Sequence, residues 1–199
     1  MFEIIKTGIR PMPTKNDGEL NLESSSLRKV KLNKNQGIDV DFAIMVYDHV
    51  RDEHRPITIT MTSSVRCHAD LHIVFKRLAA HLALVSESIP RNLEGLAVWM
   101  EDGVPVPGQA YSCRSVILKG ESGEDNEAVM LSGFKTLSSG RCMNLITPLI
   151  SLAEEKTDYP SMIPLSQCLE DLNVEVRLYL GGKCADAAQL DIVFADQED

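Results

Sequence analysis

Between Asp70 and Glu87 the apolar residues Leu71, Val74, Phe75, Leu78, Leu82 and Val85 recur three or four positions apart, while Lys76, Arg77, Ala80 and Leu84 fall elsewhere. That spacing predicts one greasy stripe along a helix roughly 27 Å long. Such a stripe needs a flat apolar surface to lie on, and the flanking sequence supplies strands. The expected fold class is therefore α+β, a mainly antiparallel sheet with helices packed on it. Asp70 is the expected N-cap, because a carboxylate there accepts from free backbone amides at the positive end of the helix dipole. Ile89-Pro90 supplies the stop.

Strand patterns surround this helix. Ile38, Val40, Phe42, Ile44 and Val46 alternate with Asp39, Asp41, Ala43, Met45 and Tyr47. After the polar loop Arg51–Pro56, Ile57, Ile59, Met61 and Val65 alternate with Thr58, Thr60, Thr62 and Arg66. A period of two on both sides of a loop predicts two half-buried antiparallel strands. Phe2–Ile9 has weaker strand character, and Leu96–Met100, with the only tryptophan, reads as a short strand. Further strands are expected at Cys113–Lys119, Ala128–Leu137 and Arg141–Leu149. The second of these, apolar on both faces over Ala128–Leu131, should be central and covered twice.

Leu165, Cys168, Leu169, Leu172, Val176, Tyr179 and Leu180 mark a second amphipathic helix, with Gly181-Gly182 as its left-handed stop. The chain thus reads strands, helix, strands, helix, a rhythm stated twice without a fixed-period repeat. Thr14–Gly37, where Val30 and Leu32 alternate with lysines, reads as an edge strand protected by charge or as a surface loop. The expected organisation is a basic N-terminal segment (1–37), one α+β core (38–185) and an acidic strand and tail (186–199). Strand order stays open. A five-stranded barrel of the oligonucleotide-binding type, with a helix between its third and fourth strands, is one topology that fits.

Charge is distributed unevenly. Seven Lys/Arg against four Asp/Glu in residues 1–37 become five against fifteen in residues 121–199, within a total of −9. An acidic chain does not draw phosphate backbones to its whole surface, so only a local basic groove would bind nucleic acid. Five widely separated cysteines point to free thiols in a reducing interior. No run of about 18 apolar residues occurs, and the N-terminus lacks the sections of a secretory signal. A soluble protein of the bacterial host cytoplasm is expected.

Chemistry-bearing patterns are sparse. All five histidines lie between His49 and His81. His68 and His72 have metal-ligand spacing only if both are helical, which a cap at Asp70 prevents. Ser63-Ser64 and Cys67 lack a nucleophile elbow or a triad context. The glycine-containing pieces lack the order of a phosphate-cradling loop, so no enzyme activity, metal or cofactor is expected. The basic cluster Arg28, Lys29, Lys31 and Lys34, together with Trp99, is the candidate nucleic-acid-binding set. Leu190, Ile192, Val193 and Phe194, followed by Asp196, Glu198 and Asp199, resemble in reversed order the partner-docking tip of bacterial single-strand-binding proteins; a last strand with a polar tail is the simpler expectation.

His68–Leu84 with its H-x-D-L-x-x-x-F-x-x-L-x-x-H-L-A-L pattern, Val129–Asn144 and Glu175–Lys183 resemble a group of uncharacterised phage and prophage proteins. The resemblance implies a phage or mobile-element setting and assigns no residue a role. The expected function is a non-enzymatic binding protein, an accessory to replication or recombination that meets single-stranded DNA or a DNA-processing protein. The alternative is an interaction or assembly component, a host-factor inhibitor or particle part, without nucleic acid. Either reading leaves room for a homo-oligomer.

Overall fold

The computed structural model describes residues 3–5, 25–86, 110–120, 126–153 and 159–185. Leu96–Met100 with Trp99, the strand expected at Leu190–Phe194 and the acidic tail lie outside these residues. Among the described residues eight strands, β1 (Glu3–Ile5), β2 (Ser26–Leu32), β3 (Ile38–Asp48), β4 (Glu53–Ser63), β5 (Ala110–Lys119), β6 (Ala128–Thr136), β7 (Cys142–Ile146) and β8 (Ile150–Ser151), accompany two helices, α1 (Ala69–Val85) and α2 (Met162–Leu180). The antiparallel sheet runs β1-β4-β3-β2-β5-β6-β7, with β8 also on β6.

Its end strands do not meet, so the sheet is open and the barrel topology is corrected. β2 is corrected as well. It pairs with β3 on one side and β5 on the other, in the middle of the sheet. Lysine alternation reported which face of β2 meets water, and that carries no information about its edges. Val30 and Leu32 point to the core, while Lys29 and Lys31 stand on the open face opposite Asp41 and Asp39. The strand expected at Arg141–Leu149 breaks after Ile146. Pro148 has no amide for a ladder, and pairing to β6 resumes one step later as β8. β6 is interior, yet Met130 remains half-exposed, so the helices cover only one face.

β3 and β4 keep pairing out to Asp48 and Glu53, whereas β2 stops at Ala43. Residues 44–57 therefore project as a two-stranded ribbon, on which Met45, Val46, Tyr47 and Val50 are exposed.

α1 begins two positions earlier than expected. His68 is its N-cap and accepts at Nδ1 from the Asp70 amide. Asp70 instead reaches Lys183 at 2.6 Å, and this hydrogen bond holds its carboxyl below the ordinary range. Lys183 also grips Glu175 at 2.9 Å. Of the two glycines after α2, only Gly182 takes positive φ (108°); Gly181 stays right-handed.

Strand and helix positions correspond between two halves. Val30 faces Val116 across the β2–β5 seam, and these residues are eighty-six positions apart. The same interval carries the bulge between Leu27 and Lys29 onto the bulge between Cys113 and Ser115, each placing an arginine (Arg28, Arg114) at the irregular position. The buried residues Leu71, Val74, Phe75, Leu78 and Leu82 of α1 recur ninety-four positions later as Leu165, Cys168, Leu169, Leu172 and Val176 of α2. Arg77 and Asp171 stand at that interval and bond each other at 2.6 Å. A pseudo-two-fold axis thus passes through the seam and between the antiparallel helices. The repeated unit is three strands and a helix. A few side chains recur unchanged, Arg28 as Arg114, Val30 as Val116 and Leu78 as Leu172, while along the rest of these elements burial and register recur.

The core lies between sheet and helices. Phe42, Leu78, Leu82, Leu131, Leu165 and Leu172 are wholly buried there, each worth about 1.5–3 kcal/mol of transfer free energy. Gly133 sits at the β5 bulge because a Cβ there would lie 1.8 Å from Ser112 O.

Candidate functional site

α1 packs against β5 and β6, leaving a groove of about 380 Å³ between its flank and the β5 bulge. Phe75, Cys113 and Tyr111 form its buried floor. His72 and Lys76 enter from one helical turn, Arg66 from the loop before α1, Gln36 from the β2–β3 turn and Arg114 from the bulge. Each placement has a local cause. Residues four apart share a helix face. The Cys67 amide donates to Gln36 O at 2.9 Å, which ties the Arg66 loop to the turn. A bulge re-aims a side chain that regular pairing would send elsewhere.

No carboxylate among the described residues lines this groove. Among the described residues none forms an ion pair with Arg66, Lys76 or Arg114. Burial, and then the charges of Arg66, Lys76 and Arg114, push the His72 imidazole below its ordinary value, which favours its neutral form. The cationic strip continues along β6. Arg114 lies 5.3 Å over the Phe134 ring and Lys135 lies 5.1 Å over Tyr111, both within cation–π range.

The pseudo-two-fold axis carries this groove onto a second one of about 440 Å³ beside α2. His72, Phe75, Lys76 and Ala79 map to Ser166, Leu169, Glu170 and Asn173. Tyr111, Ser112 and Cys113 map to Ser25, Ser26 and Leu27, and Gln36 maps to Glu127. The chemistry differs. Glu127 and Glu170 line the second groove, and Arg177 there donates to Asn173 Oδ1 (3.0 Å) and Ser25 O (2.7 Å). Arg28, the counterpart of Arg114, donates to Gly120 O.

The described members of the set expected to bind nucleic acid take different surroundings. Arg28 is engaged as above, and Lys29 approaches Asp41 at 4.0 Å, which also accepts from Thr60 Oγ1. Lys31 and Lys34 are exposed, Lys34 two residues before Gln36 at the rim of the basic groove. Trp99 lies outside the described residues. Arg66, Lys76 and Arg114 had no signal in the sequence, since their convergence depends on α1 crossing to β5.

His81 faces away from His72 and is fully buried, hydrogen-bonded through Nδ1 to Tyr159 OH at 2.6 Å. Burial lowers its pKa to about 3. Among the described residues no three metal-ligating side chains come together, and no helix is long and apolar enough to cross a membrane. All five thiols are free; Cys67, Cys113 and Cys168 are buried, and Cys142 is exposed. No family model matches the chain, and neither a curated protein nor a solved structure matches it.

Proposed function

We propose that this chain is a non-enzymatic binding protein that holds single-stranded nucleic acid by its phosphate backbone in the groove of Arg66, His72, Lys76 and Arg114. The observation that carries this reading is four basic groups converging on one groove that, among the described residues, no carboxylate lines. Phosphate contacts supply most sequence-independent affinity, and Phe134 beside Arg114 offers a ring near the path of a strand. The net charge of −9 confines attraction to the groove, because salt screens beyond about 8–10 Å. In the phage or mobile-element setting that the sequence resemblance implies, such a protein serves as an accessory to replication or recombination.

Fluorescence anisotropy with a labelled oligothymidylate tests this. Three to four phosphate contacts give a salt slope of about −2 to −3, on the order of 20-fold or more weaker binding between 50 and 200 mM salt. Salt-insensitive binding, or none at micromolar protein, sinks the proposal.

A second reading, an interaction or assembly protein without nucleic acid, is supported by the ribbon 44–57. Its charges are answered internally, Arg55 by Asp48 at 3.3 Å and Arg51 by Glu53 at 3.9 Å, while Met45, Val46, Tyr47 and Val50 face solvent. Light scattering and capture of a host protein that Val50→Asp abolishes, with no oligonucleotide binding, would favour it.

A further inference from the structure

The segments that enter α1 and leave α2 meet in one antiparallel bridge, Cys67 opposite Cys184. Two hydrogen bonds define the kind of position. Ala185 N donates to Arg66 O at 3.1 Å, while the Cys67 amide is committed to Gln36 O. The cysteines are therefore a non-hydrogen-bonded pair, where facing Cα atoms come to about 4.5 Å and side chains are closest. A disulfide requires Cα atoms about 4.4–6.8 Å apart. Directly opposed residues of such a pair project to the same side, and Cys184 packs against the core cluster that contains Cys67, so the two sulfurs share one site.

We propose that Cys67 and Cys184 form a redox pair that closes to a disulfide when hydrogen peroxide reaches the partly exposed Cys184. The Cys184 sulfur attacks the peroxide, the O–O bond breaks, and a sulfenic acid and one water form. The Cys67 sulfur then displaces that hydroxyl, which leaves with the Cys67 proton as a second water. Two thiols lose two electrons and the peroxide gains them. Burial decides the order, since the Cys67 thiol is only 2% exposed and its pKa is pushed up to about 12. In a reducing interior the pair rests open. Closure ties the Arg66 loop, one wall of the basic groove, to the end of α2.

Hydrogen peroxide treatment of the full chain, thiol blocking and non-reducing peptide mass spectrometry test this. The expected product is a monomer in which the Cys67 and Cys184 peptides are joined and free thiols fall from five to three, with a thermal midpoint that rises and returns on adding dithiothreitol. Cys184→Ser is expected to abolish the joined peptide and Cys142→Ser to leave it. Oxidation that ends as sulfinic acid on Cys184 with Cys67 still alkylated overturns the pair, as do Cys142-linked dimers as the sole disulfide. The wild-type peptide map decides alone if Cys184→Ser does not fold.

Discussion

The groove beside α1 and the groove beside α2 are built from corresponding residues, yet one gathers Arg66, His72, Lys76 and Arg114 while the other sets Glu127 and Glu170 against Arg177. Backbone placement is shared, down to the bulge that turns an arginine out of each central strand. The difference therefore lies in side-chain choice. On one side the bulge arginine is consumed by a carbonyl of its own fold; on the other it faces a groove that no acid among the described residues lines. Only the bulge arginine recurs, and the position of Lys76 is taken by Glu170 in the second groove.

The correspondence is tested hardest in the core. Leu78 and Leu172 occupy equivalent, wholly buried positions, so Leu78→Ala and Leu172→Ala should each cost about 2–5 kcal/mol and agree within about 1 kcal/mol in urea unfolding. A large disparity would break the equivalence of the halves. The functional contrast is next. Lys76→Glu with Arg114→Glu should weaken oligonucleotide binding by about 100-fold or more, as charge-assisted contacts contribute roughly 1.5–3 kcal/mol each, whereas Glu170→Gln in the other groove should change it less than about twofold. Equal effects from both grooves would mean that neither is the site.

Two histidine predictions follow in size. His81 is buried neutral with its pKa lowered to about 3, so the unfolded chain takes up a proton first as pH falls. Its stabilising share is complete above about pH 7 and is lost on acidification from the unfolded value near 6.5 towards 3. The loss is about 2 kcal/mol by pH 5. Urea midpoints of wild type and His81→Phe at pH 7.5 and 5 should diverge accordingly. His72 is held below its ordinary value by burial and then by its cationic neighbours, and a phosphate entering the groove offsets the push of those cations. Binding should then tighten a few-fold as pH falls from 7.5 to 6 at fixed salt. In His72→Gln that slope should vanish while the salt slope stays; a slope that survives assigns it elsewhere.

Much of this architecture was legible in the residues. Alternation from Ile38 to Thr62 fixed the hairpin and its faces, and apolar spacing located both helices, because period reports local geometry. Connectivity was harder. Nothing local to Val30 or Val116 says that they face each other, so β2 looked like an edge and an open sheet looked closable. The groove was less legible still. Lys34 belongs to the basic cluster visible in the sequence and lies beside the rim, but Arg66 comes from the loop before α1, Lys76 from the helix itself and Arg114 from a strand further along the chain. His72 was weighed as a metal ligand with His68. The cap at His68 takes that imidazole out of the helix, and His72 turns to a cationic groove instead.

The seam between β2 and β5 has a kinetic consequence. Each flanking meander is joined by short turns and closes locally, on the microsecond scale of hairpins. The seam must bring together segments eighty-six positions apart before either helix has a complete floor. Loop-closure entropy is spent there before burial returns it. The rate of folding is therefore set where the two halves touch, and a chain that has made both meanders without the seam still exposes the apolar face that the finished protein hides.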